Sequence, residues 1–241
     1  MGSGNKAKKA EKSSQKHWMV FFDFDNTITS TDILDNIIER FSVNDDWKAV
    51  EELWVQGKIG SRECLEKQLQ GVRITQQDLS EYLSTIMIDP SFGKLLTLLG
   101  DKGVQSLILS DSFTFIIREI LRHNGIHGIK IFANELKFSK DRIAPYFPHI
   151  NPECLRCAHC KTKHVTEYLD RTTVYVGDGL SDVCPAQRTN LVFAKATLME
   201  FFKKNQKPFM EFKELKDVCS FFEDLEPLCA EAPRHANRKS S

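Results

Sequence analysis

The stretch MVFFDFDNTITS, residues 19–30, runs an apolar, aromatic-rich segment into two aspartates separated by Phe24, then into a polar turn. A carboxylate at the end of an apolar strand is costly to desolvate unless a cation or hydrogen-bond donors compensate it, and two on one face repel each other. Asp23 and Asp25 therefore predict a positive group nearby. The competing reading is that the pair only opens a loop ahead of a helix, whose cap Thr29, Ser30 or Thr31 would supply equally well. The rest of the chain decides between them.

Short apolar runs recur at 18–23, 104–109, 129–133, 172–177 and 191–194, separated by stretches with helical spacing. This is the pattern of a parallel sheet built from strand–helix units. VQSLILSDS stops at Ser110 and TTVYVGDG at Asp178, repeating the opening theme of an apolar strand that ends on a polar group. In parallel open sheets, ligands bind at the carboxyl ends of the strands.

About eighty residues separate the first two strands, too many for a single crossover. STDILDNIIERF, DDWKAVEELWVQG, SRECLEKQLQG and TQQDLSEYLSTIM each carry apolar residues at helical spacing between Gly, Ser, Asp or Thr boundaries. They predict a helical subdomain over 31–88, inserted between core segments 18–30 and 89–230, with Trp47, Trp54, Leu65 and Leu69 as packing residues. Residues 138–160, FSKDRIAPYFPHINPECLRCAHC, read as a long irregular loop. Its Cys154, Cys157 and Cys160, with His149 or His159, allow either a compact zinc site or a reduced Cys-rich flap.

The 33 basic and 33 acidic residues balance, so no global field draws the chain to nucleic acid or to an anionic membrane. No apolar run approaches the roughly 18 residues that span a bilayer. The N-terminus lacks the apolar core of a secretory signal, so the seven cysteines are expected in a reducing, cytoplasmic setting. Residues 1–17 and 231–241 have tail-like compositions and are expected to be disordered. Nothing in the sequence fixes an oligomeric state.

Four features follow in chain order: Asp23-Phe24-Asp25-Asn26-Thr27, Ser110, Lys161, and Gly177-Asp178-Gly179-Leu180-Ser181-Asp182. This series resembles the haloacid dehalogenase superfamily of aspartate-nucleophile phosphatases. The resemblance implies an α/β fold: a Rossmann-like parallel sheet with helices on both faces, and an inserted all-helical cap after the first strand. It implies that Asp23 attacks phosphorus, that Asp25 serves as acid and base, that Ser110 binds the phosphate, and that Lys161, with Lys163 as its competitor, offsets the aspartate charge. Asp23, the backbone carbonyl of Asp25, Asp178 and Asp182 would hold Mg²⁺, the usual hard ion for carboxylate clusters lacking His or Cys.

LSDS at 109–112 and GDGLSDVCP at 177–185 resemble the phosphoethanolamine/phosphocholine phosphatases and their pyridoxal-phosphate phosphatase relatives. Asp111, and Asp32 at the cap entrance, would then attract an amine-bearing substrate. Alternatively, Asp111 could simply cap a helix over 112–124 and Asp32 one over 33–41. TITSTD, in contrast, is similar to the bacterial methionine-salvage phosphatases. The expected partner is thus a small phosphomonoester, with phosphoethanolamine, phosphocholine and pyridoxal 5′-phosphate leading, and a methylthiopentenyl phosphate or phosphoserine behind. A phosphotransferase and a catalytically silent phosphate-binding module are the rival classes.

Overall fold

The computed structural model describes residues 17–154 and 156–225. The expected tails lie outside these residues, apart from His17, whose carbonyl accepts from the Thr172 N–H.

The centre of the molecule is a seven-stranded sheet formed by β1 (Trp18–Phe22), β2 (Gln105–Phe113), β3 (Lys130–Ser139), β4 (Arg142–Tyr146), β5 (Thr172–Gly177), β6 (Leu191–Ala194) and β7 (Met210–Glu211), in the order β4-β3-β2-β1-β5-β6-β7. Alternate residues of each inner strand serve opposite faces. Val20, Phe22, Ile108, Val174 and Val176 join one apolar cluster, while Met19, Phe21, Leu107, Leu109 and Tyr175 join another. The strands are therefore buried on both sides, which is why they read as continuous apolar runs. Helices α5 (Phe92–Asp101), α6 (Thr114–His123) and α10 (Leu215–Asp224) contribute to the first cluster. The short α7 (Lys161–Thr166), α8 (Val183–Ala186) and α9 (Ala196–Lys204) contribute to the second.

Two departures from expectation have local causes. The segment from Phe138 onward is not wholly irregular, because β4 pairs antiparallel with β3 around a turn in which Lys140 has φ 54°. The sheet is consequently mixed rather than all parallel. Pro145 hides this strand from a sequence reading, yet an edge strand tolerates proline. Strand β2 also continues past Ser110 to Phe113, with its register against β3 broken between Leu109 and Phe113. Ser110 and Asp111 thus occupy an irregular strand end, and Asn134 Nδ2 pins it by donating to the Asp111 carbonyl at 2.7 Å.

Between β1 and α5 lie α1 (Ile33–Phe41), α2 (Asp46–Val55), α3 (Ser61–Leu69) and α4 (Gln76–Leu83). The chain leaves and returns through a bridge between Thr29 and Ile88, and the Asp89 N–H donates to the Ile28 carbonyl at 2.8 Å. Ile33, Leu34, Ile37 and Ile38 of α1 and Leu79 and Leu83 of α4 pack into the first apolar cluster. Helix α2 buries no residue. Of the expected packing residues, Leu69 is buried and Trp47 and Leu65 are partly so. Trp54 departs from expectation: it is 36% exposed and faces a cavity. Among the described residues, no helix is long and apolar enough to cross a membrane.

Candidate active site

The connections from β1 run outward on one side to β2 and β3 and on the other to β5 and β6, so the crevice above β1 is the topological switch point of the sheet. Asp23 immediately follows β1, and its N–H is held by the Val176 carbonyl at 2.9 Å. The chain then turns sharply, with Ile28 N–H donating to the Phe24 carbonyl at 2.8 Å and Asn26 in the left-handed region at φ 54°. Asparagine is among the few side chains that adopt that conformation readily. The turn presents Asp25 to the first turn of α1, where Oδ1 accepts from the Ile33 N–H at 2.9 Å.

One positive group beside the opening aspartates is Lys161, the first residue of α7. It is 2% exposed, and its Nζ donates to Asp23 Oδ1 at 2.9 Å, Asp182 Oδ1 at 2.8 Å and Ser181 Oγ at 3.1 Å. Lys163 is exposed. Burial alone would lower the Lys161 pKa, but the charges of Asp182 and Asp23 hold it well above the usual lysine range. Burial, then the charge of Asp182, raises the Asp23 carboxyl well above its ordinary value.

Asp182 is fully buried and is a filled acceptor. Oδ1 receives Lys161 Nζ and, at 2.7 Å, Tyr175 Oη; Oδ2 receives the N–H groups of Asp178 at 3.1 Å and Gly179 at 3.0 Å. An ionised carboxylate offers about four lone-pair sites, and here all are taken. Burial would raise its pKa, but Lys161 and these donors bring it below the normal carboxylate range. Asp178 accepts from Thr27 Oγ1 at 3.0 Å. Burial and then the Asp182 charge push Asp178 up to about 6.

Among the described residues, Asp23, Asp178 and Asp182 form the one group whose ligand atoms could share a metal ion, all lying within 4.8 Å of one another. Asp23 and Asp178, whose carboxyls burial holds above the ordinary range, suit a divalent cation that favours their ionised forms. Thr27, Tyr175 and Ser181 are contributors that sequence reasoning left without roles, since a threonine in a turn and a tyrosine in a strand carry no distinctive signal.

Ser110 is 1% exposed, and its Oγ accepts from the Ser112 N–H at 3.0 Å, leaving its own O–H to be donated. Asp111 does not cap α6, which begins at Thr114 after Phe113 with no side-chain cap. Its Oδ1 is buried and has no partner among the described residues, and burial pushes its carboxyl up to about 6 despite the opposing charge of Lys161. Asp32 does cap a helix, since its Oδ1 accepts from the Asp35 N–H at 2.9 Å. Asp32 also lines the cavity.

That cavity, of about 390 Å³, rises from Asp23 to the underside of α2 and α3. Asp35, Glu51, Trp54 and Gln68 line its upper part, and none of these was singled out from sequence as a site residue. Their roles depend on how α1, α2 and α3 assemble, for which the sequence has no local motif.

An aspartate at the switch point, clamped by a buried lysine and facing a second aspartate pair from another strand end, defines a haloacid dehalogenase-type phosphatase. The chain belongs to the Putative Phosphatase family, whose model matches residues 18–200. It is 27% identical over 217 residues to a 2-hydroxy-3-keto-5-methylthiopentenyl-1-phosphate phosphatase of Brevibacillus brevis, covering 88% of this chain and 97% of that protein. It is 26% identical over 220 residues to the Pdp3-interacting factor 1 of Schizosaccharomyces pombe, covering 86% and 95%. Among solved structures, the phosphoserine phosphatase from T. onnurineus shares the fold with a TM-score of 0.66 at 16% identity, covering 90% of this chain and all of that one. A phospho-aspartyl intermediate analogue of phosphoserine phosphatase superposes with a TM-score of 0.64 at 19% identity, covering 86% and 99%.

Proposed function

We propose that this phosphatase hydrolyses a small, amine-bearing phosphomonoester with Mg²⁺ as cofactor, through an aspartyl-phosphate on Asp23. The carboxylate of Asp23 attacks phosphorus. Asp25, whose carboxyl is raised by burial and by the charge of Asp32, delivers a proton to the departing alkoxide. As a carboxylate it then takes a proton from the water that cleaves the aspartyl-phosphate. Ser110 donates its hydroxyl to a phosphoryl oxygen. Lys161 keeps Asp23 oriented and offsets its charge.

Asp23, Asp178 and the Asp25 carbonyl would hold the ion. With its acceptor sites filled, Asp182 supports the site by fixing Lys161 and the Asp178 loop. When bound, Mg²⁺ neutralises charge between the phosphoryl dianion and the attacking carboxylate.

The observation that carries the amine preference is the sign of the cavity beyond the phosphate position. Asp111 stands at its side, and Asp32, Asp35 and Glu51 stand toward its roof; among the described residues, Lys161 is the one lysine or arginine that lines it. Burial, followed by the charges of Asp32 and Glu51, pushes Asp35 up to about 7, as expected of acids crowded without a counter-ion. Trp54 adds a face on which an alkylammonium can rest. These features favour phosphoethanolamine or phosphocholine and oppose a second carboxylate on the substrate. A methylthiopentenyl phosphate is the second reading, supported by the apolar wall of Leu34, Leu65 and Trp54 and by the relatives that carry that name.

The test is phosphate release from phosphoethanolamine, phosphocholine, pyridoxal 5′-phosphate, phosphoserine and the methylthiopentenyl phosphate, with Mg²⁺ and with chelator. Turnover concentrated on the amines supports the reading. Preference for the methylthio substrate replaces it with the second, and release unaffected by chelator removes the metal.

A further inference from the structure

A second basin, of about 830 Å³, opens on the other side of Lys161. Its chemistry is the reverse of the catalytic cavity. Lys163, Arg188 and Lys207 stand around it, and among the described residues no carboxylate does. Among the described residues, none of these three cations is in an ion pair. Thiols replace the acids: Cys154, Cys157, Cys160 and Cys184 all line it.

Cys154 Sγ lies 3.6 Å from Cys157 Sγ, and both residues are free and partly exposed. A disulfide requires an S–S distance near 2.05 Å, so closing the pair takes an approach of about 1.5 Å, shared between side-chain rotation and movement of the peptide that carries Cys157. The pair is not half of a formed zinc site, since among the described residues only the aspartate trio brings three ligand atoms together. The two sulfurs also differ. Burial would raise the Cys154 thiol, but the backbone N–H groups of Arg156 and Cys157 and the neighbouring thiol bring it below the ordinary value. Burial, with the charge of Asp111 next, pushes Cys157 up to about 12. An attacking and a resolving sulfur are thereby distinguished.

We infer that Cys154 and Cys157 form a reversible disulfide by exchange with an anionic low-molecular-weight disulfide, of the oxidised glutathione class, held in this cationic basin. The Cys154 thiolate attacks one sulfur of the small disulfide, whose S–S bond breaks as one thiolate leaves. Cys157 then gives up its proton and attacks Cys154 Sγ, expelling the second small thiolate. Two electrons pass from the protein pair to the small disulfide, and the protons of the two protein thiols end on the two small thiols.

The exchange acts on the active-site roof through one peptide unit. The Arg156 carbonyl, bonded directly to the Cys157 nitrogen, accepts from the N–H of Ser61 at 2.8 Å. Ser61 is the first residue of α3 and lines the catalytic cavity, and its Oγ accepts from Trp54 Nε1 at 3.0 Å. Drawing Cys157 toward Cys154 tilts that carbonyl and loosens the contact.

The experiment equilibrates the full chain anaerobically over a range of reduced-to-oxidised glutathione ratios, blocks free thiols, maps them by mass, and measures hydrogen exchange at the Ser61 amide. The expected result is joint, dithiothreitol-reversible loss of the Cys154 and Cys157 thiols, with roughly tenfold faster Ser61 exchange, the scale of one lost backbone hydrogen bond. Cys157→Ser should trap a mixed disulfide on Cys154. Oxidation by oxidised glutathione should run about tenfold faster than by the neutral hydroxyethyl disulfide and lose that advantage in Lys207→Glu. Both thiols remaining free at every ratio would overturn the proposal, as would chelator-reversible protection of the pair by Zn²⁺. Equal rates with the two disulfides would overturn the role of the basin, and unchanged Ser61 exchange the coupling to the roof.

Discussion

Lys161 Nζ lies 2.9 Å from Asp23 Oδ1, although 138 residues separate them in the chain. The same ammonium reaches Asp182 at 2.8 Å, so one buried cation joins the ends of two neighbouring strands. Lys161→Met should leave these carboxylates uncompensated at neutral pH. The expected loss is about 3–5 kcal/mol of folding stability, read by urea denaturation, together with loss of phosphatase activity. A variant as stable as the parent would show that Lys161 is not what balances the site.

Asp23→Asn keeps the shape of the side chain and removes the proposed nucleophile. Turnover should fall by at least about 10³-fold, while circular dichroism and the cooperative melt stay those of a folded protein. Residual activity within tenfold of the parent would exclude an aspartyl-phosphate on this residue.

Gly177 is required by space. A Cβ there would lie 2.6 Å from Asp182 Oδ2 and 2.9 Å from the Tyr175 ring. Four hydrogen bonds hold the Asp182 carboxylate, so it cannot step aside without breaking some of them. Gly177→Ala should cost roughly 1–3 kcal/mol and depress kcat. A neutral effect on both, measured by thermal melting and steady-state kinetics, would mean that this loop yields more easily than its bonding suggests.

The acid dependence follows from Asp178, which burial and the Asp182 charge raise from 3.8 to about 6. A carboxyl that binds its proton more tightly in the folded state contributes stability fully below its unfolded pKa and loses it as pH rises through the folded one. Without metal, this contribution is therefore lost between about pH 4 and 6. Mg²⁺ needs the ionised form. Its thermal upshift should be small near pH 5 and reach several degrees above pH 7, as differential scanning fluorimetry can show. An upshift independent of pH would place the ion elsewhere.

Selectivity tests the acidic wall. Asp111→Ala and Glu51→Gln should each raise KM for phosphoethanolamine by roughly tenfold, the scale of one partly buried charge contact, with little change for an uncharged phosphomonoester. An equal loss on both substrates would assign these residues to general architecture.

The residues that meet at the strand ends were legible in the sequence alone. DFDNT, Ser110, Lys161 and GDGLSD each sit against an apolar run or a helix start, and such local patterns are visible because strand burial and turn geometry constrain neighbouring residues. Three-dimensional packing was needed to turn Lys161 rather than Lys163 inward, to saturate Asp182 with Lys161, Tyr175 and two backbone amides, and to make Asp32 cap α1 while Asp111 keeps an oxygen unpaired among the described residues. It alone brought Asp35, Glu51 and Trp54 over the crevice and completed the sheet edge with β4 despite Pro145. The division has one physical reason. Periodicity and capping are properties of adjacent residues, whereas charge compensation and cavity lining depend on distances between segments that the chain places far apart.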